Sequence, residues 1–260
     1  MINKAIPYGK QFIDREDIKS VINVLKSDWI TQGPKIKEFE DKIKIWSSEN
    51  HTFEFFSEII KTTKPDYVIN LVGILEEKGN QTYENINYLY SKNLYEALKN
   101  SEVKKIIHIS ALGTSKDSPS KYHKTKYLAE EELKKTNKNY IIFRPSFISG
   151  KNQLIFQRLN KFSKYLPFFI LPDIPYYFQP VDIDDLSDCF VEAIKSNHTG
   201  IYNLCGSEKL SFKELIQKYC DIIKRKTLFI PFKKEFIKLI NKEFYLMMYK
   251  NNTCDETEKY

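Results

Sequence analysis

Glycine is scarce in this chain, eight residues in 260. No three of them stand as Gly-x-x-Gly-x-x-Gly, the spacing with which a strand-turn-helix unit lets its backbone cradle a phosphate. Cysteine is scarce too. Cys189, Cys205, Cys220 and Cys254 form no C-x-x-C pair and do not cluster with His51, His108, His123 or His198. That spacing argues against a zinc site or a redox pair, and free buried thiols in a reducing compartment are expected. No run approaches the ~20 apolar residues that a membrane-crossing helix needs. The first ten residues lack the apolar core of a leader, so a cytoplasmic location is expected. No internal repeat is found, and ten prolines with eight glycines exclude a low-complexity chain.

Arginine is the last scarcity. Of 41 basic residues only Arg15, Arg144, Arg158 and Arg225 are arginine. Lysine reads bases and phosphates poorly in the bidentate sense. The formal charge of +7 is also local: residues 223–250 carry eight cations against Glu235 and Glu243. With the remainder near neutral, no nucleic-acid partner is expected. What is present is ordinary globular composition, 42% hydrophobic and 29% charged, enough to bury a core.

The pattern changes along the chain. Residues 11–45 read as helical, with Ile18, Val21, Ile22 and Leu25 at helical spacing after Asp14, then a break at Gly33-Pro34. Another helical run covers 53–63. Short apolar strands follow at 67–72, 106–109, 140–143 and 201–204, separated by helical runs at 83–100, 121–135 and 184–195. Strands alternating with helices of this length predict βαβ units and a parallel sheet. Residues 156–166 read as helical, and 167–180 as an aromatic, proline-rich lid or pocket wall. Ser211 and Glu214 form a capping box for a further helix. In the basic stretch Phe232, Phe236, Ile240 and Phe244 recur at helical spacing.

Two resemblances rest on these residues. Over about the first 45, the blocks 6–10 (Ile-Pro-Tyr-Gly-Lys) and 25–34 (Leu-Lys-Ser-Asp-Trp-Ile-Thr-Gln-Gly-Pro) resemble the opening of DegT/StrS sugar-nucleotide aminotransferases. Those enzymes use pyridoxal phosphate, but nothing after residue 46 continues the family, so that cofactor is not expected. Over about 55–250 the chain resembles the atypical and extended short-chain dehydrogenase/reductases, the NAD-dependent epimerase/dehydratase group. The branch it resembles is that of the dehydrogenase-like accessory subunit of respiratory complex I. The blocks are 65–73, 108–113, 120–126, 143–146, 178–185 and 202–206, with Asn87 and Asn93 between the first two.

The resemblance implies an α/β fold: a Rossmann-like parallel sheet flanked by helices, incomplete because its first βαβ unit with the glycine turn is missing. An α-helical head precedes it. The implied division is 1–46 as an aminotransferase-like segment, 47–150 as a truncated NAD(P)-binding domain and 151–260 as a small substrate or partner region.

Tyr122 and Lys126 are four residues apart, which on a helix places them on one face. The resemblance makes Tyr122 the proton donor or acceptor and Lys126 its partner and the holder of the nicotinamide ribose. A nearby ammonium would pull the phenol below its ordinary pKa. Ser110 closes a strand and is a third catalytic candidate, although active members often carry the Ser/Thr one residue later, where Ala111 stands. Asn70, Val72 and Gly73 at a strand's carboxyl end, with Lys126, Pro145 and Ser146, are the candidate NAD or NADP contacts. Arg144 suits a substrate phosphate or a buried acid. Asn87 suits a tie between helix and strand loops. Asp182, Asp184 and Asp185 suit helix capping better than a metal, and no metal is expected.

Phe168, Phe169, Tyr176, Tyr177 and Phe178 suit either core or a pocket for a small-molecule substrate. The basic amphipathic stretch 223–250 suits a docked helix or a peripheral contact with a membrane or protein complex. Three readings follow. One is an NAD(P)-binding oxidoreductase or epimerase relative, weak or inactive for want of the glycine turn. Another is a non-catalytic scaffold or assembly factor of a membrane respiratory complex. The third is a non-functional chimera.

Overall fold

A computed structural model describes residues 51–150, 168–225 and 228–254. The helical expectations for 11–45 and 156–166, and both blocks of the aminotransferase resemblance, lie outside the described residues. Helix α1 (Phe53–Thr63) starts at Thr52, whose hydroxyl accepts from Phe55 N, and ends at Lys64 in the left-handed region. It leads into β1 (Tyr67–Asn70). A π-helical segment (Glu84–Leu89) runs directly into α2 (Tyr90–Leu98), followed by β2 (Lys105–Ile109), α3 (Lys121–Lys134) and β3 (Tyr140–Pro145). Beyond lie β4 (Ile148–Ser149), β5 (Phe168–Asp173), β6 (Tyr177–Phe178), β7 (Val181–Asp182), α4 (Ile183–Lys195) and β8 (Gly200–Leu204). The chain continues through β9 (Leu210–Ser211), α5 (Phe212–Ile222), β10 (Leu228–Lys233), α6 (Glu235–Ile240) and α7 (Lys242–Met247).

Strands β1, β2, β3 and β8 form one sheet in that order, every pair parallel. Among the described residues β1 has a neighbour on one side only. The strands are near-continuous apolar runs because both faces are covered. On one face Phe56, Ile60, Tyr95 and Leu98 of α1 and α2 pack with Ile106, Leu133 and Ile142. On the other, Leu186, Phe190 and Ala193 of α4 pack with Ile107, Ile141 and Phe143. Alternation along the strands sends successive residues to opposite faces. A third core gathers Phe169, Leu171, Phe212, Leu215, Ile216 and Met248 around α5. The expected aromatic segment divides: Phe169 is buried, Tyr176 and Phe178 pack on this third core, and Tyr177 is exposed.

Local signals act where they were read. The Ser211 and Glu214 capping box is complete, and Asp182 caps α4 by accepting from Asp184 N at 2.8 Å. No group of three or more metal-ligating side chains is found among the described residues. None of the described helices is long and apolar enough to cross a membrane.

Two expectations are corrected. The basic stretch is not one helix: Phe232 lies in β10, which pairs in parallel with β5, and two short helices follow. Pro231 lacks an N–H and fits an extended strand rather than a helix interior. Cys205 and Cys254 are not free thiols. They are disulfide-bonded across 49 residues with Cα atoms 6.0 Å apart, while Cys189 and Cys220 are free.

Gly206 follows Cys205 and admits the Pro180 backbone: a Cβ there would lie 2.0 Å from the Pro180 carbonyl oxygen. That neighbour is backbone and has little room to yield. Gly206→Ala is therefore expected to cost about 1–3 kcal/mol or more, read as a lowered urea midpoint at unchanged m. An unchanged midpoint would show that the 178–181 and 204–206 segments separate without cost.

Candidate active site

The carboxyl ends of β1, β2 and β3 meet the first turns of α3, the position where open parallel sheets bind ligands. Ser120 caps α3, its hydroxyl accepting from His123 N. That start sets the helix phase so that Tyr122, Lys126 and Glu130 fall on the buried side.

Lys126 is 3% exposed. Its ammonium donates to the carbonyls of Val72 and Ile109, 3.1 Å each, and so bridges the ends of β1 and β2. Gly73 makes this approach feasible, since a Cβ on it would sit 2.6 Å from Lys126 Nζ. Burial lowers the lysine from its ordinary value to about 8, against an opposing pull from Glu130.

Tyr122 is 8% exposed and packs edge-on against Tyr83 and His123, with ring centroids 6.0 and 5.1 Å apart. Burial first, and Tyr83 second, push its phenol above the ordinary tyrosine range. The lowering expected from Lys126 is not found. The ammonium is engaged by two carbonyls, and desolvation disfavours a phenolate. Tyr83 itself is raised to about 12 by burial and by Glu243, Glu77 and Glu76. Both phenols are thus held in the proton-bearing form.

Ser110 follows β2, with Oγ 3.3 Å from Thr114 Oγ1 and both residues buried. Thr114 is a second hydroxyl at the strand end that the sequence reading passed over. Asn70 is engaged internally: its amide donates to Ser91 Oγ and Tyr95 Oη, and its Oδ1 accepts from Val72 N. It shapes the turn after β1. Asn87 acts likewise, Oδ1 accepting from Ile74 N at 2.9 Å and Nδ2 donating to Thr125 at 3.4 Å. It sits in the π-helical segment, where the wider turn places it fully buried toward these loops. Pro145 accepts from Leu112 N at 2.8 Å, tying the β2 and β3 loops. Ser146 donates to Asn252 near the far end of the chain.

Two groups escaped the sequence reading. Glu130 lies one turn beyond Lys126 and accepts both Nε and Nη2 of Arg144, at 2.9 and 2.5 Å. Arg144 thus faces a buried acid on α3. The helical spacing of Lys126 and Glu130 was a usable signal for that acid. His108 on β2 is fully buried, its Nδ1 2.7 Å from Tyr95 Oη. Nothing local marks it, because the partner is brought by the packing of α2.

The model of the "NAD dependent epimerase/dehydratase family" matches residues 46–205. The chain is 28% identical over 177 residues to the Dictyostelium discoideum protein "NADH dehydrogenase [ubiquinone] 1 alpha subcomplex subunit 9, mitochondrial", covering 67% of this chain and 49% of that one. It is 39% identical over 57 residues, 22% of this chain and 15% of the other, to a Shewanella sediminis UDP-4-amino-4-deoxy-L-arabinose–oxoglutarate aminotransferase. It is similar to the dTDP-4-dehydrorhamnose reductase of Bacillus anthracis solved with NADP. There the TM-score is 0.63 at 18% identity, covering 72% of each chain, which establishes a shared fold. The chain spans about half the length of the Dictyostelium relative.

Proposed function

We propose a function for a chain that belongs to the NAD dependent epimerase/dehydratase family: it binds a nicotinamide dinucleotide weakly and turns substrate over slowly or not at all. The observation that carries this is Lys126, held between Val72 O and Ile109 O over Gly73, where a Cβ would meet the ammonium at 2.6 Å and force it to shift. The strand-end residues fit the ribose and nicotinamide half of the cofactor: Lys126 and Gly73 on one side, Pro145 and Ser146 on the other. When bound, such a cofactor supplies hydride transfer.

What this chain's own residues do is bind and hold protons. Lys126 keeps most of its charge at neutral pH and donates along the strand ends. Tyr122 retains its proton, so it is the donor to a substrate oxygen and a poor base. Ser110 and Thr114 offer hydroxyls in the loop that follows β2.

The pyrophosphate half is not matched, because no three glycines in the sequence have the required spacing. Each backbone hydrogen bond to a charged group contributes ~1.5–3 kcal/mol, and losing two or three weakens binding by roughly two to six orders of magnitude.

A fluorescence titration with NADH tests this. Saturation with a Kd no tighter than about 0.1 mM is expected, together with loss of binding in Lys126→Met at an unchanged far-UV spectrum. Equal binding by Lys126→Met would overturn the assignment of Lys126. No saturation in a cooperatively melting chain, with Cys205–Cys254 intact or reduced, would overturn the cofactor reading.

That second result would favour a scaffold. Ile222, Phe236 and Leu239 are 79, 55 and 81% exposed within or beside the lysine-rich stretch. Such a face suits peripheral attachment to a membrane or a protein complex. The Dictyostelium relative is by name a subunit of an NADH dehydrogenase. A chain with no cooperative melt would sink both readings and leave the chimera.

A further inference from the structure

The segment 241–254 lies across the carboxyl edge of the sheet, over the loops that carry the candidate site. It begins on α3: Glu243 Oε1 accepts from Ser120 Oγ at 2.7 Å and from Tyr122 N at 2.9 Å. Tyr249 then donates to Gly113 O at 3.1 Å, and its ring contacts His123. It ends at Cys254, bonded to Cys205 just beyond β8, with Cys254 N donating to Gln179 Oε1 at 3.1 Å.

Between these anchors Asn252 is inserted, and every polar atom of it is met. Its side-chain oxygen accepts from Ser146 Oγ at 2.5 Å and Phe147 N at 3.0 Å, and its amide nitrogen donates to Leu112 O at 3.3 Å. Its backbone N–H donates to Tyr177 O at 2.8 Å and its backbone carbonyl accepts from Gln179 N at 2.9 Å. The Ser146 hydroxyl also lies 2.8 Å from the Asn252 backbone carbonyl and shares its one proton between the two oxygens. With Phe147 N on the side-chain oxygen and an acceptor on the geminal nitrogen, the set is the complement of a primary carboxamide. The slot is made by the loops leaving β2 and β3, through Leu112, Ser146 and Phe147, and Ser146 is less than a tenth exposed.

We propose that 241–254 is a redox-locked strap. Its Asn252 carboxamide is the internal occupant of a carboxamide-reading slot, and reduction of Cys205–Cys254 releases the strap and admits an external ligand bearing a primary carboxamide. The identity of that ligand as a nicotinamide dinucleotide rests on the reading above. The release does not.

The chemistry balances with a dithiol as reductant. Two electrons and two protons pass to the pair, the S–S bond breaks, two S–H bonds form, and the dithiol closes to its own disulfide. The physical basis is effective concentration. Asn252 is two residues from a covalent anchor, so it competes for the slot as an intramolecular ligand at about millimolar strength or above. A free ligand must exceed that. Once the anchor is cut, non-covalent contacts alone hold the strap: the hydrogen bonds of Glu243, Tyr249, Asn251, Asn252 and the Cys254 N–H, and the packing of Met248 in the third core. All of these are exchangeable.

Hydrogen exchange read by mass spectrometry on the full chain tests the device in its oxidised form, after phosphine reduction, and in Cys254→Ser. At least about tenfold faster exchange is expected across 241–254 and at Phe147 in the last two, with α2 and β2 unchanged. Unchanged exchange in a chain whose mass shows both thiols free would overturn it. So would alkylation showing Cys254 unpaired in the oxidised protein.

NADH titration of the same samples separates this proposal from the cofactor reading. Binding at least about tenfold tighter in the reduced form supports both. Faster strap exchange with no NADH binding in either form leaves the lock standing and removes the cofactor. Equal NADH affinity in both forms overturns the claim that Asn252 occupies the ligand's place.

Discussion

Arg144→Ala is expected to destabilise the folded chain by about 3–5 kcal/mol, because it strands a buried carboxylate. Glu130 is 0% exposed and Arg144 20% exposed at the side chain, with two parallel hydrogen bonds between them. The pair itself need not stabilise strongly, since desolvating both ions offsets much of their attraction. Removing one partner leaves the other's desolvation uncompensated. The comparison that isolates this is the double variant Arg144→Met with Glu130→Leu, which is expected to recover most of the loss. Equilibrium urea unfolding at pH 7 measures both. A loss under about 1 kcal/mol in Arg144→Ala would mean that water reaches Glu130 and that the pair behaves as a surface pair. The pair also matters for the site, since it clamps α3 to β3 one turn beyond Lys126. NADH binding is accordingly expected to weaken in Arg144→Ala even under conditions where the variant stays folded.

Acid is expected to destabilise the chain between pH 6.5 and 4, before most carboxylates titrate, through two histidines held neutral by burial. His123 is lowered to about 4, chiefly by burial and further by Lys250, against a hydrogen bond to Leu112 that raises it. His108 is lowered well below its ordinary value by burial and by Lys126. The sign follows from proton uptake. As pH falls below 6.5 the unfolded chain binds protons that the folded chain refuses, so stability declines until the folded pKa is passed. For His123 the decline to pH 4.5 is about 2–3 kcal/mol. His123→Gln removes that share, so its urea midpoint is expected to fall less than that of the unmodified chain between pH 7.5 and 4.5. Parallel falls in the two proteins would show that the imidazolium finds solvent when it forms. The strap lies against His123 through Tyr249, so reduction of the disulfide is expected to narrow the same gap.

The local sequence determined the order and spacing of the elements. Apolar runs at 67–72, 106–109 and 140–143 became the parallel strands because both sheet faces are covered. Ser211 with Glu214, and the aspartates opening α4, placed helix starts through hydrogen bonds that span at most three residues. Tyr122 and Lys126 were legible as one face of a helix because four residues bring side chains round together. The sequence also shows that no three of its glycines have the spacing of the phosphate-cradling turn.

Tertiary structure alone decided the partners. Whether Arg144 faces a phosphate or an acid depended on α3 crossing beside β3. The Tyr122 phenol was raised rather than lowered because packing removed water and two strand-end carbonyls engaged the ammonium. Phe232 entered a strand because β5 was there to pair with β10, although its spacing from Phe236 suits a helix equally well. The Cys205–Cys254 bond and the Asn252 slot join residues 49 and 106 apart. Periodicity carries no trace of such contacts: the entropy of closing those loops is offset by the assembled packing, not by any preference of the residues involved.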